Sequence, residues 1–240
     1  MNEFVIETRN LCKKGNGKYR VKNLDLKVPK GVVYGFLGPN GAGKTTTMKL
    51  LLGLIHPDSG QILLFEEPMT PKNRTRLNQL TGSLIESPGF YAHLSGQENL
   101  EIIAKYRNLD TKAMEEALKA VRLYERKDDK VKNYSLGMKQ RLGIAMALMG
   151  KPSVIILDEP TNGLDPAGIQ EIRELIKSLP RTFGTTVLIS SHLLSEIEQM
   201  ADYVGIIRNG ELVYQGPLSK LESGHASLEE CFLHLTGGDA

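Results

Sequence analysis

Residues 38–45, with the sequence GPNGAGKT, combine the residue types that a phosphate-binding loop requires. Glycines at positions 38, 41 and 43 let the backbone curve closely around an anion and point its N–H groups inward. Lys44 supplies a cation for β- and γ-phosphates, and the hydroxyl of Thr45 is a ligand type for Mg²⁺. The residues expected to contact a nucleotide are Gly38, Pro39, Asn40, Gly41, Ala42, Gly43, Lys44, Thr45 and Thr46.

The elements predicted on either side of this loop support that interpretation. The apolar run 32–37 predicts a buried strand, and residues 46–52 predict a helix whose N-terminus would favour an anion. The alternative is an ordinary glycine-rich turn between a strand and a helix, with a lysine at the surface. The order strand, GxxxxGK[ST] loop and helix favours a nucleotide site.

A second candidate segment places two carboxylates at the end of a strand. Residues 154–157 are apolar and are followed by Asp158 and Glu159. Ligands bind at the carboxyl ends of strands in open α/β sheets, so Asp158 is the expected partner of Mg²⁺. Glu159 points the other way and could polarise an attacking water. The alternative is an acidic pair at a helix start, but together with the phosphate loop the pair predicts nucleotide hydrolysis.

The composition of the chain argues against nucleic acid as a partner and does not indicate any other partner. The 240 residues are 40% apolar and carry a formal charge of +2, so no basic field indicates nucleic acid. Cys12 and Cys231 lie far apart, which argues against disulfides or a zinc site and fits a reducing cytosol. No secretion signal is expected, and no apolar run approaches the roughly 20 residues that span a bilayer. Any membrane crossing would therefore fall to another chain.

The order of predicted elements gives the expected fold class and its division. Short N-terminal strands at 4–8 and 24–28 predict a small antiparallel sheet, residues 87–150 are helical, and strands alternate with helices from 154 to 215. We expect one α/β domain over residues 1–240. Its nucleotide-binding core with the β subdomain would occupy 1–86 and 151–217, the inserted helical subdomain 87–150, and a helical C-terminal tail 218–240 with an amphipathic segment at 228–235.

Five segments in this order resemble the ATP-binding subunit of ABC transporters, and the resemblance covers nearly the whole chain. It implies a RecA-like P-loop NTPase core, with ATP and Mg²⁺ as cofactors. Besides the P-loop (residues 38–45), the segments are Tyr134–Arg141 (YSLGMKQR, the signature segment), the strand end Leu157–Pro160, Asn162–Asp165 and Ser190–His192.

The resemblance implies functions for four residues outside the P-loop. Ser135 and Gly137 would face the P-loop of a second copy, so that ATP binds between two subunits. Their segment departs from the usual LSGGQ by beginning with Tyr134 and carrying Leu136 and Met138. Taken alone, it predicts no more than an N-capped helix. His192 would contact the γ-phosphate and Glu159, although a histidine after two serines is more often the neighbour of a helix cap. Asp165 would couple the two sites across the dimer.

Two positions depart from the family pattern in ways that matter for the site. Glu86 stands where the family usually has a glutamine that touches Mg²⁺ and senses the membrane partner. This substitution is similar to that in bacitracin and lantibiotic-immunity exporters, and we expect Glu86 to keep the metal and coupling functions. Gly15 falls where an aromatic residue usually stacks on adenine. Tyr19 could replace it, or could be a partly exposed tyrosine at a strand edge.

These expectations combine into one predicted function with two alternatives. The prediction is a cytoplasmic ATPase at the inner face of the membrane that homodimerises and drives a separate multi-span permease, exporting a peptide antibiotic or another substrate. A soluble ABC ATPase acting on ribosomes or DNA is the first alternative, although such proteins usually carry two cassettes or a long coiled coil. A P-loop kinase or GTPase is the second, but no NKxD segment is present and the signature segment would be unexplained.

Overall fold

Two β-sheets organise the chain in the structure, a computed structural model that describes residues 3–86, 89–222 and 232. Their strands follow one another in chain order. They are β1 (Phe4–Gly15), β2 (Lys18–Leu24), β3 (Lys27–Pro29), β4 (Val33–Leu37), β5 (Ser59–Leu64), β6 (Glu67–Pro68), β7 (Thr81–Leu84), β8 (Val154–Asp158), β9 (Thr186–Ser191), β10 (Tyr203–Arg208) and β11 (Glu211–Pro217).

Helices occupy the connections between these strands. They are α1 (Lys44–Leu51), α2 (Arg74–Gln79), α3 (Gly96–Arg107), α4 (Thr111–Ala120), α5 (Leu136–Leu148), α6 (Pro166–Phe183), α7 (Leu194–Met200) and α8 (Leu218–Glu222), with short 3₁₀ turns at Tyr124–Arg126 and Val131–Asn133.

The larger sheet has the strand order β11-β10-β4-β9-β8-β7. β10, β4, β9, β8 and β7 run parallel, and β11 pairs antiparallel with β10. Their side chains alternate between two cores: Ile155 and Leu157 face one cluster, whereas Val154 and Ile156 face the other. Because both faces are covered, the strands are continuously apolar, and polar residues gather at their carboxyl ends.

The smaller sheet is antiparallel and is built around β1. β1 pairs with β2, β3 and β5, and β5 pairs with β6. The sequence predicted a first strand of residues 4–8 and a single strand over 24–28. Both bounds were wrong, because β1 continues through register shifts near Leu11 to Lys13 and the second predicted strand is divided between β2 and β3. The expected fold class, an α/β P-loop core with an antiparallel β subdomain and inserted helices, is confirmed by this architecture.

Three helices lie between β7 and β8 and pack on one another. α3 begins at a capping box in which Ser95 Oγ accepts from the Glu98 N–H and the Glu98 carboxylate accepts from the Ser95 N–H. α4 ends at Ala120, and Arg122 then takes a positive φ of 55°. Together, α3, α4 and α5 form one core with a face of the larger sheet.

The C-terminal tail begins with α8, as far as the chain is described there. Most of the amphipathic segment predicted at 228–235 lies outside the described residues, and Phe232 packs against the core that includes α3, α4 and α5. Among residues 3–86, 89–222 and 232, no helix has both the length and the apolar character needed to cross a membrane.

Candidate nucleotide site

The P-loop connects the carboxyl end of β4 to the first residue of α1, and its glycines are required by close backbone approaches. A Cβ added at Gly43 would lie 2.3 Å from the carbonyl oxygen of Arg20, and one at Gly38 would lie 2.3 Å from that of Ile207. Gly41, with φ +81°, has nothing within 4 Å of such a Cβ. The loop is therefore tightly packed from behind, while Gly41 borders open space of the kind that a phosphate cradle needs.

Lys44 is buried, and its ammonium group is held by the loop itself. Lys44 Nζ donates to the carbonyl oxygens of Gly38 (2.7 Å) and Pro39 (3.2 Å). It also lies 3.4 Å from Glu159 Oε1. The buried ammonium of Lys44 therefore lies against the loop, and the carboxylate of Glu159 balances its charge.

Thr45 and Asp158 meet where the start of α1 lies beside the end of β8. Thr45 Oγ1 donates to Asp158 Oδ2 at 2.8 Å, and the other carboxylate oxygen, Oδ1, accepts from Ser190 Oγ at 2.6 Å. One hydroxyl and one carboxylate are hard oxygen ligands of the kind that Mg²⁺ prefers. The donor set therefore fits a magnesium ion whose remaining ligands come from phosphate and water.

Glu159 and His192 lie at the same edge of the sheet, at the ends of β8 and β9. Glu159 Oε2 is 3.2 Å from His192 Nδ1, and the Glu159 N–H donates to Ser190 Oγ at 2.9 Å. Glu159 has a positive φ of 47°, which turns its side chain out of the strand direction. A carboxylate held between an ammonium and an imidazole is well oriented to act on a water molecule.

Glu86 follows β7, the strand beside β8, and its carboxylate contacts a lysine. Glu86 Oε1 lies 2.6 Å from Lys49 Nζ on α1. No hydrogen bond or ion pair between described residues joins Glu86 to Thr45 or Asp158. Lys49 had no function in the sequence-based prediction, because nothing in its spacing distinguishes it from a solvated helix residue.

The signature segment lies apart from the P-loop of its own chain. Ser135 is the N-cap of α5 and accepts from the Met138 N–H, and Asp165 is the N-cap of α6 and accepts from the Gly168 N–H. A Cβ on Gly137 would approach Leu164 at 3.9 Å, so these two helix starts are neighbours. Within the described ranges, no hydrogen bond connects Ser135 to the residues that surround Lys44.

Tyr134, one of the departures from the usual signature, has a structural explanation. Its hydroxyl donates to the carbonyl oxygen of Arg126 at 2.6 Å, and a Cβ on Gly96 would lie 2.4 Å from that hydroxyl oxygen. Burial raises the pKa of the Tyr134 phenol above its ordinary value. The tyrosine therefore anchors the start of α5 to the loop before it and to the start of α3.

Tyr19 lies on β2, one residue before Arg20, whose carbonyl oxygen faces Gly43. Tyr19 is 45% exposed, and the ammonium of Lys14 lies 4.8 Å from the centroid of its ring. Tyr19 is therefore the neighbour of a residue that contacts the P-loop and is partly accessible, although its ring already makes a cation–π contact. Whether adenine uses this ring stays a prediction.

Ser190 is the site residue that sequence reasoning missed. Its hydroxyl donates to Asp158 and accepts from the Glu159 N–H, so that it connects the two carboxylate residues of β8. The segment SSH had been noted for its histidine. The available signal was a polar residue near the carboxyl end of a buried parallel strand. A buried hydroxyl without a hydrogen-bond partner would destabilise the fold, so a partner was to be expected.

Comparison with known proteins identifies the class. Residues 21–162 match the family model described as ABC transporter. The chain is 48% identical over 229 residues to the bacitracin transport ATP-binding protein BcrA of Enterococcus faecalis, a match that covers 95% of this chain and 74% of that protein. The chain therefore belongs to the ABC transporter family and is an ATP-binding subunit of the kind whose ATPase activity is coupled to transport.

Further relatives agree with this assignment and with the subgroup seen in the sequence. The lantibiotic transport ATP-binding protein SrtF of Streptococcus pyogenes is 42% identical over 228 residues, covering 95% of this chain and 96% of SrtF. CbiO1 of Clostridium perfringens, part of the ABC transporter complex CbiONQ, superposes with a TM-score of 0.85 at 28% identity, covering 93% and 92% of the two chains. The predicted resemblance to bacitracin and lantibiotic exporters is confirmed.

Proposed function

We propose that two copies of this chain bind MgATP between them, hydrolyse it and drive a separate membrane permease that exports a peptide antibiotic. The observation that carries the enzymatic part is the position of Glu159, whose two carboxylate oxygens contact Lys44 Nζ at 3.4 Å and His192 Nδ1 at 3.2 Å. The export substrate is inferred from BcrA and SrtF, which are named for bacitracin and lantibiotic transport.

Each polar group of the site has a separate task in this mechanism. The backbone of residues 38–46 surrounds the phosphates, and Lys44 exchanges its loop carbonyls for β- and γ-phosphate oxygens. Thr45 and Asp158 hold Mg²⁺, which neutralises phosphate charge when bound. Glu159 accepts a proton from water as the water oxygen attacks the γ-phosphorus and the bond to ADP breaks. His192 holds Glu159 in position through Nδ1.

In this proposal, the second copy of the chain supplies the signature-segment residues that complete the nucleotide site. Ser135 and Gly137 sit at the N-terminus of the 13-residue helix α5, where N–H groups and the helix dipole favour an anion. In the proposed dimer they bind the γ-phosphate held by the partner's P-loop, and Asp165 couples the two sites. Glu86 completes the metal site and relays closure to the permease, Tyr19 stacks on adenine, and the dimer lies at the cytoplasmic face of the membrane.

Replacing Glu159 by glutamine tests the hydrolytic mechanism. Glu159→Gln removes the base and keeps the side-chain shape, so we expect ATP hydrolysis to fall by about 10²–10⁴-fold. The trapped ATP should convert the variant to a dimer in size-exclusion chromatography with MgATP. Glu115→Gln, on the exposed face of α4, is the matched control and should hydrolyse ATP like the wild type. A Glu159→Gln variant that binds ATP and remains monomeric would count against the dimeric site.

The export function is tested with the permease. Cells that express this chain with its co-purifying multi-span membrane protein should tolerate several-fold more bacitracin or lantibiotic, and Glu159→Gln should abolish that protection. Unchanged tolerance, with ATPase activity intact, would overturn the proposed substrate class and leave the ATPase assignment standing.

A further inference from the structure

Lys49 contacts the residue in which the site departs from its family pattern. Lys49 Nζ is 2.6 Å from Glu86 Oε1, and the side chains are 32% and 64% exposed. A glutamate adds a negative charge beside the triphosphate site where an amide would add none. Among the described residues, Lys49 is the cation within ion-pairing distance of that charge.

The two glutamates that form ion pairs with α1 occupy corresponding positions after neighbouring strands. Leu84 of β7 pairs with Leu157 of β8, so Glu86 and Glu159 each lie two residues beyond paired positions. Both have a positive φ, 59° and 47°, which is uncommon for residues other than glycine. The same backbone conformation therefore turns both side chains out at the same edge of the sheet.

Helix α1 offers these strand ends two partners on one face. Thr45 and Lys49 are four residues apart, so they lie one above the other, about 6 Å apart along the helix axis. Thr45 bonds Asp158 at the end of β8, and Lys49 bonds Glu86 beyond the end of β7. The ion pair thus holds Glu86 about one helical turn beyond the oxygen pair that fits Mg²⁺.

We propose that Lys49 is a positioning residue that keeps Glu86 away from the metal site until nucleotide and Mg²⁺ bind. Because both side chains are partly exposed, the ion pair is weak and opens at little cost, as a reversible contact must. Opening it releases the Glu86 carboxylate to the metal, and closing it returns the charge to Lys49. This inference rests on the proposed function, since it gives Glu86 a second position in the same site.

A double-mutant cycle measures this coupling without relying on turnover. The purified full chain and the variants Lys49→Met, Glu86→Gln and the double variant are titrated with a fluorescent ATP analogue, with Mg²⁺ and with EDTA. The quantity compared is the ratio of the two affinities. Free ATP carries more negative charge than MgATP, so the loss of one positive charge changes this ratio by itself, and the Glu86→Gln background measures that part. Freed Glu86 should raise this ratio about fivefold in Lys49→Met, near the upper limit for an exposed ion pair.

The other variants decide the interpretation. Lys49→Met should change the ratio clearly less when Glu86→Gln is already present, because only the effect of the lost charge then remains. Lys49→Arg should behave like the wild type. Lys151→Met, which breaks the 2.8 Å ion pair with Glu116, is the matched control, because Lys151 precedes β8 at the opposite edge of the sheet. It should leave the ratio unchanged.

Two results would overturn the inference alone. An equal change for Lys49→Met in both Glu86 backgrounds would mean that Lys49 acts on the nucleotide directly, and no change in either would mean that the ion pair positions nothing. A wild-type chain that fails to bind the analogue with Mg²⁺ would overturn the proposed function itself. Circular dichroism and the melting temperature show whether each variant is folded.

Discussion

Ser190 shows how one hydroxyl can position two residues with different tasks. It donates to Asp158 Oδ1 at 2.6 Å and accepts from the Glu159 N–H at 2.9 Å, and it is fully buried on β9. Of its two partners, Asp158 would hold the metal and Glu159 would act on water. Any shift of this hydroxyl would therefore change the distance between metal and base.

Removing the Ser190 hydroxyl should impair catalysis more than binding. Ser190→Ala leaves a buried carboxylate oxygen and a backbone N–H without their partner, which should cost about 2 kcal/mol of unfolding free energy. We expect kcat to fall by more than about tenfold, since misplacement of a base has large effects on rate, while KM for ATP stays within a few-fold. Steady-state kinetics and urea unfolding measure both quantities.

Ser178→Ala is the control for Ser190→Ala. Ser178 lies on α6, away from the site, and its hydroxyl donates to the carbonyl oxygen of Leu175 three residues earlier. It should change neither kcat nor KM. Equal kinetic effects of the two substitutions would show that Ser190 has no special position.

At the scale of elements, close contact between a strand and a helix ties the helical insertion to the sheet. A Cβ on Gly82 of β7 would lie 2.0 Å from the carbonyl oxygen of Ala147 on α5. β7 precedes Glu86, and Ser135 is the N-cap of α5. This contact therefore joins the strand before one site residue to the helix that follows another. The glycine is required by the approach of backbone to backbone.

Gly82→Ala should separate β7 from α5 and destabilise the protein. Forcing a methyl group against backbone costs about 1–3 kcal/mol, which corresponds to a melting temperature lower by roughly 2–12 °C for a chain of this size. Gly89→Ala is the control, because a Cβ there meets nothing within 4 Å. Differential scanning calorimetry of the two variants makes the comparison, and similar melting temperatures would contradict the close contact.

At the scale of the whole molecule, the residues assigned to the nucleotide site fall into two groups. Lys44, Thr45, Asp158, Glu159 and His192 converge at one edge of the larger sheet, whereas Ser135 and Asp165 begin two neighbouring helices elsewhere in the chain. Measurements of nucleotide affinity therefore test the residues that converge within one chain. Measurements of hydrolysis test the proposed dimer as well, because hydrolysis is proposed to need two chains.

ATP binding should stabilise the folded chain in a way that depends on Lys44. At a nucleotide concentration about 100 times the Kd, binding adds about 2.7 kcal/mol to the unfolding free energy, which raises the melting temperature by roughly 5–10 °C. Lys44→Ala should remove most of this shift and EDTA should reduce it in the wild type. The same shift in Lys44→Ala as in the wild type, measured by thermal denaturation, would mean that nucleotide binds somewhere else.

The sequence alone determined the fold class and the residue types of the site, because both depend on local patterns. A strand, a glycine-rich loop and a helix in series predict the P-loop, and an apolar run ending in Asp158 and Glu159 predicts the second half of the site. The same reasoning predicted the wrong bounds for the N-terminal strands. There, pairing with β2 and β5 extends β1 well past its apolar residues, and such partners are not visible in local sequence.

Only the tertiary structure decided which of these side chains meet and what holds them. Ser190 became part of the site because β9 lies between β4 and β8, a strand order that a linear pattern does not contain. Lys49 became the partner of Glu86 because α1 crosses the ends of β7 and β8 with Thr45 and Lys49 on one face. Residue chemistry is carried by the sequence, whereas the distances between residues far apart in the chain depend on packing, which arises only when the sheet and its helices assemble.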